Sequence, residues 1–238
     1  MKIAMITASG VGARTHQDIP KQFLCVHDKP VFMYTLEAFQ YHPQIDEICV
    51  VILPGWEALL DAYAKQFNIT KLKIVVHGGA TGQESIYNGL RAIYEAHKDD
   101  KDAVVLIHDG VRPMVSEEII SKNLEVFEKY GNAITSIPCA EVAMNSPDKK
   151  KANEVIDREC IQRTQTPQAF YLEEAMSAHE TAKKNGWTGI TAMPALWAML
   201  GKTVYFSEGS EKNLKITTVD DLDIFKSLLL SKRASWLK

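Results

Sequence analysis

The chain has 238 residues, 46% of them hydrophobic, and a formal net charge of -3. That length suits one large α/β domain or two small ones, with a sizeable core, and the small negative balance, with lysines and arginines dispersed apart from Lys149 to Lys151, gives no electrostatic footprint for nucleic acid. No run approaches the roughly eighteen apolar residues of a membrane span, and Met1-Lys2 leads straight into an apolar stretch with no cleavable signal, so a cytoplasmic protein is expected.

Lys2 to Ala8 (KIAMITA) has the length and composition of a first strand, and Ser9 to Arg14 (SGVGAR) follows as a small-residue loop ending in a cation. Pro30 to Phe39 predicts a helix, opened by a proline in its first turn and packed through Val31, Tyr34, Leu36 and Phe39. Ile45 to Leu53 reads as a strand closed by Pro54-Gly55, Trp56 to Phe67 as a helix with Leu59, Leu60 and Tyr63 at helical spacing, and Lys71 to Val76 as a strand. The second glycine-rich loop, from His77 to Gly82, leads to a helix from Ser85 with Ile86, Leu90 and Ile93 on one face. Ala103 to Ile107 is an unbroken apolar run of the kind buried in parallel sheets, and it ends at His108-Asp109-Gly110-Val111-Arg112-Pro113.

Ser116 predicts an N-cap for a helix reaching Tyr130-Gly131, with Glu117 and Glu118 complementing its dipole. Ala133 to Ile137 is a further strand. Between about 138 and 163 the alternation stops, and turn residues from Asn145 to Lys150 separate the short runs Glu141 to Met144 and Glu154 to Ile156. That pattern predicts a hairpin arm projecting from a single domain spanning residues 1–238. The chain returns through Arg163 to Phe170 and continues with a helix to about Lys184, a break at Asn185-Gly186 and a helix around Pro194 to Leu200. Thr203 to Phe206 and Leu214 to Thr217 read as short strands. Thr218 with Asp221 resembles a capping box for a last helix carrying Leu222, Phe225 and Leu229.

Alternating strands and helices of this kind predict a doubly wound, mostly parallel α/β sheet, whose ligands sit at the carboxyl ends of the strands. Three loops then share one edge: Ser9 to Arg14, Gly78 to Ser85 and Asp109 to Pro113. In the first, glycines let backbone N–H groups approach an anion, while Arg14 can clamp phosphate oxygens and Lys21 can act as a point charge. A Walker loop is excluded, because neither Gly10 nor Gly12 has the partner GxxxxGK[ST] requires. The dinucleotide fingerprint fails at its third glycine, which is Thr15, and no ribose acid stands near Phe32 and Met33, which argues against a dinucleotide-dependent oxidoreductase. Cys25, Cys49, Cys139 and Cys160 lie far apart without a CxxC pair, which indicates neither a zinc site nor a disulfide framework. All are expected to be buried small apolar side chains.

Six blocks in order, AxGxGxR (Ala8 to Arg14), PKQFL (Pro20 to Leu24), GG then SxxxGL (Gly78-Gly79, Ser85 to Leu90), HDxxRP (His108 to Pro113), QTPQxF (Gln165 to Phe170) and NLKITT (Asn213 to Thr218), resemble the methylerythritol-phosphate cytidylyltransferases and the related ribitol-5-phosphate cytidylyltransferases. The resemblance implies a Rossmann-like nucleotidyltransferase that joins CTP to a polyol phosphate, releases pyrophosphate, and uses a divalent metal such as Mg²⁺. It further implies that Ala8, Ser9, Gly10, Val11, Gly12 and Arg14 wrap the triphosphate, that Lys21 holds phosphate oxygens and that Lys215 contacts the α-phosphate. Gly79 and Ser85 would lie against cytosine and ribose, Asp109 would hold the metal, and Arg158 on the arm would reach the acceptor pocket of a neighbouring subunit in a homodimer. Arg112 reads as structural, and His108 as a packed histidine rather than a base. Three positions depart from the family pattern: Val142 replaces a threonine at the start of the arm, Gly82 replaces an arginine, and Ala192 replaces an aspartate after Thr191. They spare the metal and triphosphate contacts expected at Asp109, Arg14, Lys21 and Lys215 and bear on the acceptor, leaving open one that is neither methylerythritol phosphate nor ribitol phosphate. A CTP-binding homologue without turnover is the non-enzymatic alternative.

Overall fold

The structure, a computed structural model, describes residues 1–10, 19–190 and 192–233. Val11, Gly12 and Arg14 of the first loop, and Thr191, lie outside them. In chain order the elements are β1 (Lys2–Ala8), β2 (Cys25–Val26), β3 (Lys29–Pro30), α1 (Val31–Tyr41), β4 (Glu47–Ile52), α2 (Glu57–Gln66), β5 (Leu72–His77), α3 (Gly82–His97), β6 (Val104–Asp109), α4 (Glu117–Tyr130) and β7 (Asn132–Pro138). They continue with β8 (Ala143–Asn145), β9 (Glu154–Ile156), β10 (Gln162–Tyr171), α5 (Leu172–Lys184), α6 (Met193–Met199), β11 (Phe206–Glu208) and α7 (Val219–Arg233). Seven strands form one sheet in the order β11-β7-β10-β6-β1-β4-β5. All its pairings are parallel except those of β10, which runs antiparallel to both β6 and β7.

The apolar runs of β1, β4 and β6 sit at the centre because both faces of the sheet are covered by helices. Successive residues of β1 serve opposite cores: Ala4, Ile6 and Ala8 pack with Phe32, Leu36, Leu60 and Leu124, whereas Ile3 and Met5 pack with Leu90, Ile93, Ala175 and Trp197. A smaller cluster of Val26, Val31, Val111, Met114, Ile216 and Phe225 fixes α7 beside the loop after β6. Ser116 caps α4 by accepting from the Ile119 N–H, and Gly131 ends that helix in the left-handed region at φ 79°, as expected of a C-terminal glycine. The arm is a two-stranded antiparallel ribbon of β8 and β9, matching the expected hairpin.

Several expectations need correction. Arg163 to Phe170 is not a plain return but part of β10, the ten-residue antiparallel strand that joins the two halves of the sheet. Pro30 is the N-cap of α1 rather than a member of its first turn. Leu59 is exposed, and the inward face of α2 is carried by Leu60 and Ala64. The strand expected over Thr203 to Phe206 lies at Phe206–Glu208. Leu214 to Thr217 joins no ladder, because buried Ile216 spends its side chain in the small α7 cluster and its N–H on the Val111 carbonyl. Of the cysteines only Cys49 is buried; Cys139 is half-buried, and Cys25 and Cys160 are exposed.

Candidate nucleotide-binding cleft

The three loops predicted to share an edge do meet. A cleft of about 520 Å³ opens at the carboxyl ends of β1 and β6, lined by Ala8, Ser9, Gly10, Lys21, Gly79, Gly82, Ser85, Asp109 and Lys215, among others. Hydrogen bonds stitch the loops together. The Ser9 hydroxyl donates to Ser85 Oγ at 3.0 Å, the Gly79 N–H donates to the same oxygen at 3.1 Å, and Ser85 Oγ lies 2.9 Å from the Thr81 carbonyl. Ser85, expected against the nucleoside, is the knot of the loop scaffold. Gly78 is required where it stands, since a Cβ there would meet the Ser9 side chain, with its Oγ at 2.5 Å.

The cations come from segments distant in sequence. Lys21 follows Pro20 in a single 3-10 turn, Lys21–Phe23, and its Nζ donates to the Ile216 carbonyl at 3.0 Å. That bond sets it beside the segment bearing Lys215. Lys215 Nζ lies 2.9 Å from Asp109 Oδ1, and Arg112 Nε lies 2.9 Å from Asp109 Oδ2. Burial pushes the Asp109 carboxyl up, but the Lys215 and Arg112 charges outweigh it and hold the group down at about 2, so it is a carboxylate at every physiological pH. Arg112 also donates to the Asn213 carbonyl at 2.7 Å, the tie expected of a structural arginine.

His108 is fully buried. Its Nδ1 lies 3.0 Å from Thr166 Oγ1 and its Nε2 lies 3.3 Å from the Arg112 carbonyl. Burial lowers its pKa to about 3, so it stays neutral and packed, as read from the sequence. Asp109 is the one carboxylate among the described residues lining the cleft, and no cluster of three or more metal-ligating side chains occurs among the described residues. A lone ionised carboxylate does suit Mg²⁺, which commonly takes one or two carboxylates and fills its shell with phosphates and water.

Arg158 does not line this cleft. It lies on the arm in a short turn, Arg158–Cys160, and donates to the Ala140 carbonyl at 3.0 Å. Of the three departures from the family pattern, Gly82 lines the cleft at the start of α3, Ala192 is the N-cap of α6 without a side-chain cap, and Val142 is exposed on the arm. Sequence reasoning assigned no role to Gln22, which lines the cleft and whose buried side chain donates to the Ala8 carbonyl at 2.7 Å and the Gly10 carbonyl at 3.2 Å, so fixing the chain as it leaves β1. Its signal was its place beside Lys21 in the PKQFL block.

The chain matches the sequence model of the family described as "IspD: 2-C-methyl-D-erythritol 4-phosphate cytidylyltransferase" over residues 2–231. It is 40% identical to the ribitol-5-phosphate cytidylyltransferase of Lacticaseibacillus paracasei, over 98% of this chain and 99% of that protein. With the 2-C-methyl-D-erythritol 4-phosphate cytidylyltransferase of Clostridium acetobutylicum it shares 35% identity, over 96% of this chain and 97% of that one. Among solved structures, the 4-diphosphocytidyl-2C-methyl-D-erythritol synthase of Anaerococcus prevotii superposes with a TM-score of 0.81 at 27% identity, covering 97% and 96% of the two chains.

Proposed function

The chain belongs to the 2-C-methyl-D-erythritol 4-phosphate cytidylyltransferase family, and we propose that it transfers CMP from CTP to ribitol 5-phosphate, releasing pyrophosphate. The nucleotide half of that reading is carried by one observation: Lys21, Lys215 and Asp109 line a single cleft at the carboxyl ends of parallel strands. The acceptor half is supported by 40% identity to a ribitol-5-phosphate enzyme against 35% to a methylerythritol-phosphate enzyme. That difference puts ribitol 5-phosphate ahead of methylerythritol 4-phosphate.

The chemistry demands little proton transfer. A phosphate monoester has its second pKa near 6, so the acceptor is largely a dianion at neutral pH and attacks without a general base. An acceptor phosphate oxygen bonds to the α-phosphorus of CTP, and the bond from that phosphorus to the bridging oxygen of pyrophosphate breaks. The obstacle is repulsion between two anions, which positioned cations offset. We assign this to Lys21 and Lys215, with Arg14 joining them on the strength of its place in the AxGxGxR block. Ala8, Ser9, Gly10, Val11 and Gly12 would receive the triphosphate through backbone N–H groups, and Gly79 and Ser85 the nucleoside. Mg²⁺ is the proposed cofactor; Asp109 would hold it, and the ion would supply further neutralisation of the triphosphate. Arg158 is assigned to the acceptor across a homodimer. Because CTP is a cytoplasmic metabolite, the cytoplasm is the proposed compartment.

The test is pyrophosphate release with CTP, Mg²⁺ and either ribitol 5-phosphate or methylerythritol 4-phosphate. Turnover should be faster with ribitol 5-phosphate, and Lys215→Ala and Asp109→Ala should each lower it by roughly a hundredfold or more. Faster turnover with methylerythritol 4-phosphate would reassign the acceptor. CTP bound without release of pyrophosphate for either acceptor would favour a nucleotide-binding protein over an enzyme.

A further inference from the structure

Lys215 lies on a segment that belongs to no helix or strand, yet it must place a long, flexible side chain on one oxygen of Asp109. Few backbone bonds restrain it: the Asn213 N–H donates to the Ser210 carbonyl at 3.0 Å, and the Ile216 N–H to the Val111 carbonyl at 2.9 Å. The Lys21 bond to the Ile216 carbonyl and the packing of Ile216 hold one end of it, and two buried amides hold the other. Asn213, wholly buried, donates from Nδ2 to Gln165 Oε1 at 3.1 Å and to the Thr166 carbonyl at 2.9 Å. Gln165, 6% exposed, donates from Nε2 to the Ser210 carbonyl at 2.9 Å and accepts from the Ser210 N–H at 3.3 Å.

Neither amide lines the cleft. Both nonetheless touch the two bodies whose registration matters. Gln165 and Thr166 sit in β10 where its register against β7 shifts, and the Thr166 hydroxyl accepts from the Asp109 N–H at 3.1 Å. The Asn213 carbonyl takes the other side of the same unit by accepting from Arg112, which holds Asp109 Oδ2. The Asp109 loop and the Lys215 segment are thus referenced to one stretch of β10. A buried amide left without its partner loses hydrogen bonds that water cannot replace, so truncating either amide would cost the segment its tie to β10.

We propose that Gln165 and Asn213 are positioning residues for nucleotidyl transfer, their amide pair holding the segment that presents the Lys215 ammonium to Asp109. The inference rests on the cytidylyltransferase reading for its kinetic consequence alone. Displacing a catalytic cation by about 1 Å costs on the order of a hundredfold, an effect that falls on kcat when binding of CTP is spread over the rest of the cleft.

The first measurement is the lysine ammonium proton–nitrogen NMR spectrum of the nucleotide-free protein, with the Lys215 signal identified by its loss in Lys215→Ala. Asn213→Ala and Gln165→Met should each abolish that signal or move it to the position of solvent-exposed lysines. The second is a double-mutant comparison. Asn213→Ala alone should lower kcat by at least about tenfold with KM for CTP within about threefold, whereas in a Lys215→Ala background it should lower kcat no further. An unmoved Lys215 signal overturns the proposal, as does a loss that multiplies with Lys215→Ala. If Asn213→Ala does not fold, Gln165→Glu decides: it keeps the acceptor for Asn213 and Ser210 N–H and removes the bond to the Ser210 carbonyl, and a Lys215 signal unmoved there overturns the proposal. Should the wild-type chain release no pyrophosphate, the proposed function fails while the NMR comparison still decides the positioning role.

Discussion

His108 and His179 are held neutral by burial, with pKa values lowered from the ordinary 6.5 to about 3 and about 4. Between those values and 6.5 the unfolded chain binds more protons than the folded one, so stability falls as pH falls. The slope is at most about 1.4 kcal/mol per pH unit for each histidine. Asp109 adds to this only at lower pH. Burial raises its carboxyl, the Lys215 and Arg112 charges lower it more, and the result of about 2 lies below the unfolded value, so its contribution is complete above pH 4 and lost as pH falls through 2. Urea unfolding between pH 7 and pH 4 should therefore show declining stability. His179→Leu, which removes a ring lying 3.2 Å from Met193 Sδ, should flatten that decline in this window. A slope unchanged in the variant would show that His179 takes up its proton in the folded state as readily as in the unfolded one.

Among the elements, α3 illustrates how the sheet sets the position of the nucleotide loop. Gly89 lies mid-helix, and a Cβ there would meet the Met5 sulfur and, at 2.6 Å, Val51 Cγ2, both on central strands. The missing side chain lets the helix lie close on β1 and β4, which places its first turn, capped by the Thr81 hydroxyl through the Glu84 N–H, at the rim of the cleft. Alanine is worth about 1 kcal/mol more than glycine in a helix interior, but overpacking costs about 1–3 kcal/mol, and Val51 has no flexible end to yield. Gly89→Ala should therefore lower stability by about 1 kcal/mol net, measured by the denaturant midpoint at constant slope; a higher midpoint would show that Met5 repacks without cost. The elements that position the site were legible to different degrees. β1, β4 and β6 announce themselves as continuous apolar runs, and the loops that follow them as glycines and charges. β10 does not, because Gln165, Thr166 and Gln168 are polar yet buried, and their partners come from segments such as Ser210 and Asn213 that no local period can reveal. Leu214 to Thr217 errs the other way, its apolar alternation answering to the α7 cluster rather than to a sheet. Asp109 and Lys215 were found through their motifs; the pairing between them was not, since it spans the fold.

At the scale of the whole molecule, the arm is the part a lone chain explains least. Two strands of three residues each form a ribbon too small to be stable on its own in water, and the ribbon region exposes Val142, Met144, Val155 and Ile156 at 69%, 44%, 65% and 41%. Apolar side chains exposed on a projecting element suit an interaction surface, and in the homodimer proposed above a second copy of the chain would cover them symmetrically. The same arrangement would give Arg158, which stands outside its own cleft, an acceptor to bind. The chain should sediment at micromolar concentration as a species of twice the 26.7 kDa of one protomer. Val155→Lys combined with Met144→Glu, its cross-strand partner, places charges on one apolar face of the ribbon, and the desolvation they would suffer at an interface should shift the protein to monomer. Because the cleft itself lies in one chain, CTP binding should survive in the monomer, measured by calorimetry, while the KM for the acceptor rises by roughly tenfold or more. A wild-type monomer, or a double variant that stays dimeric, would remove the arm as the interface and with it the assignment of Arg158 to a neighbouring site.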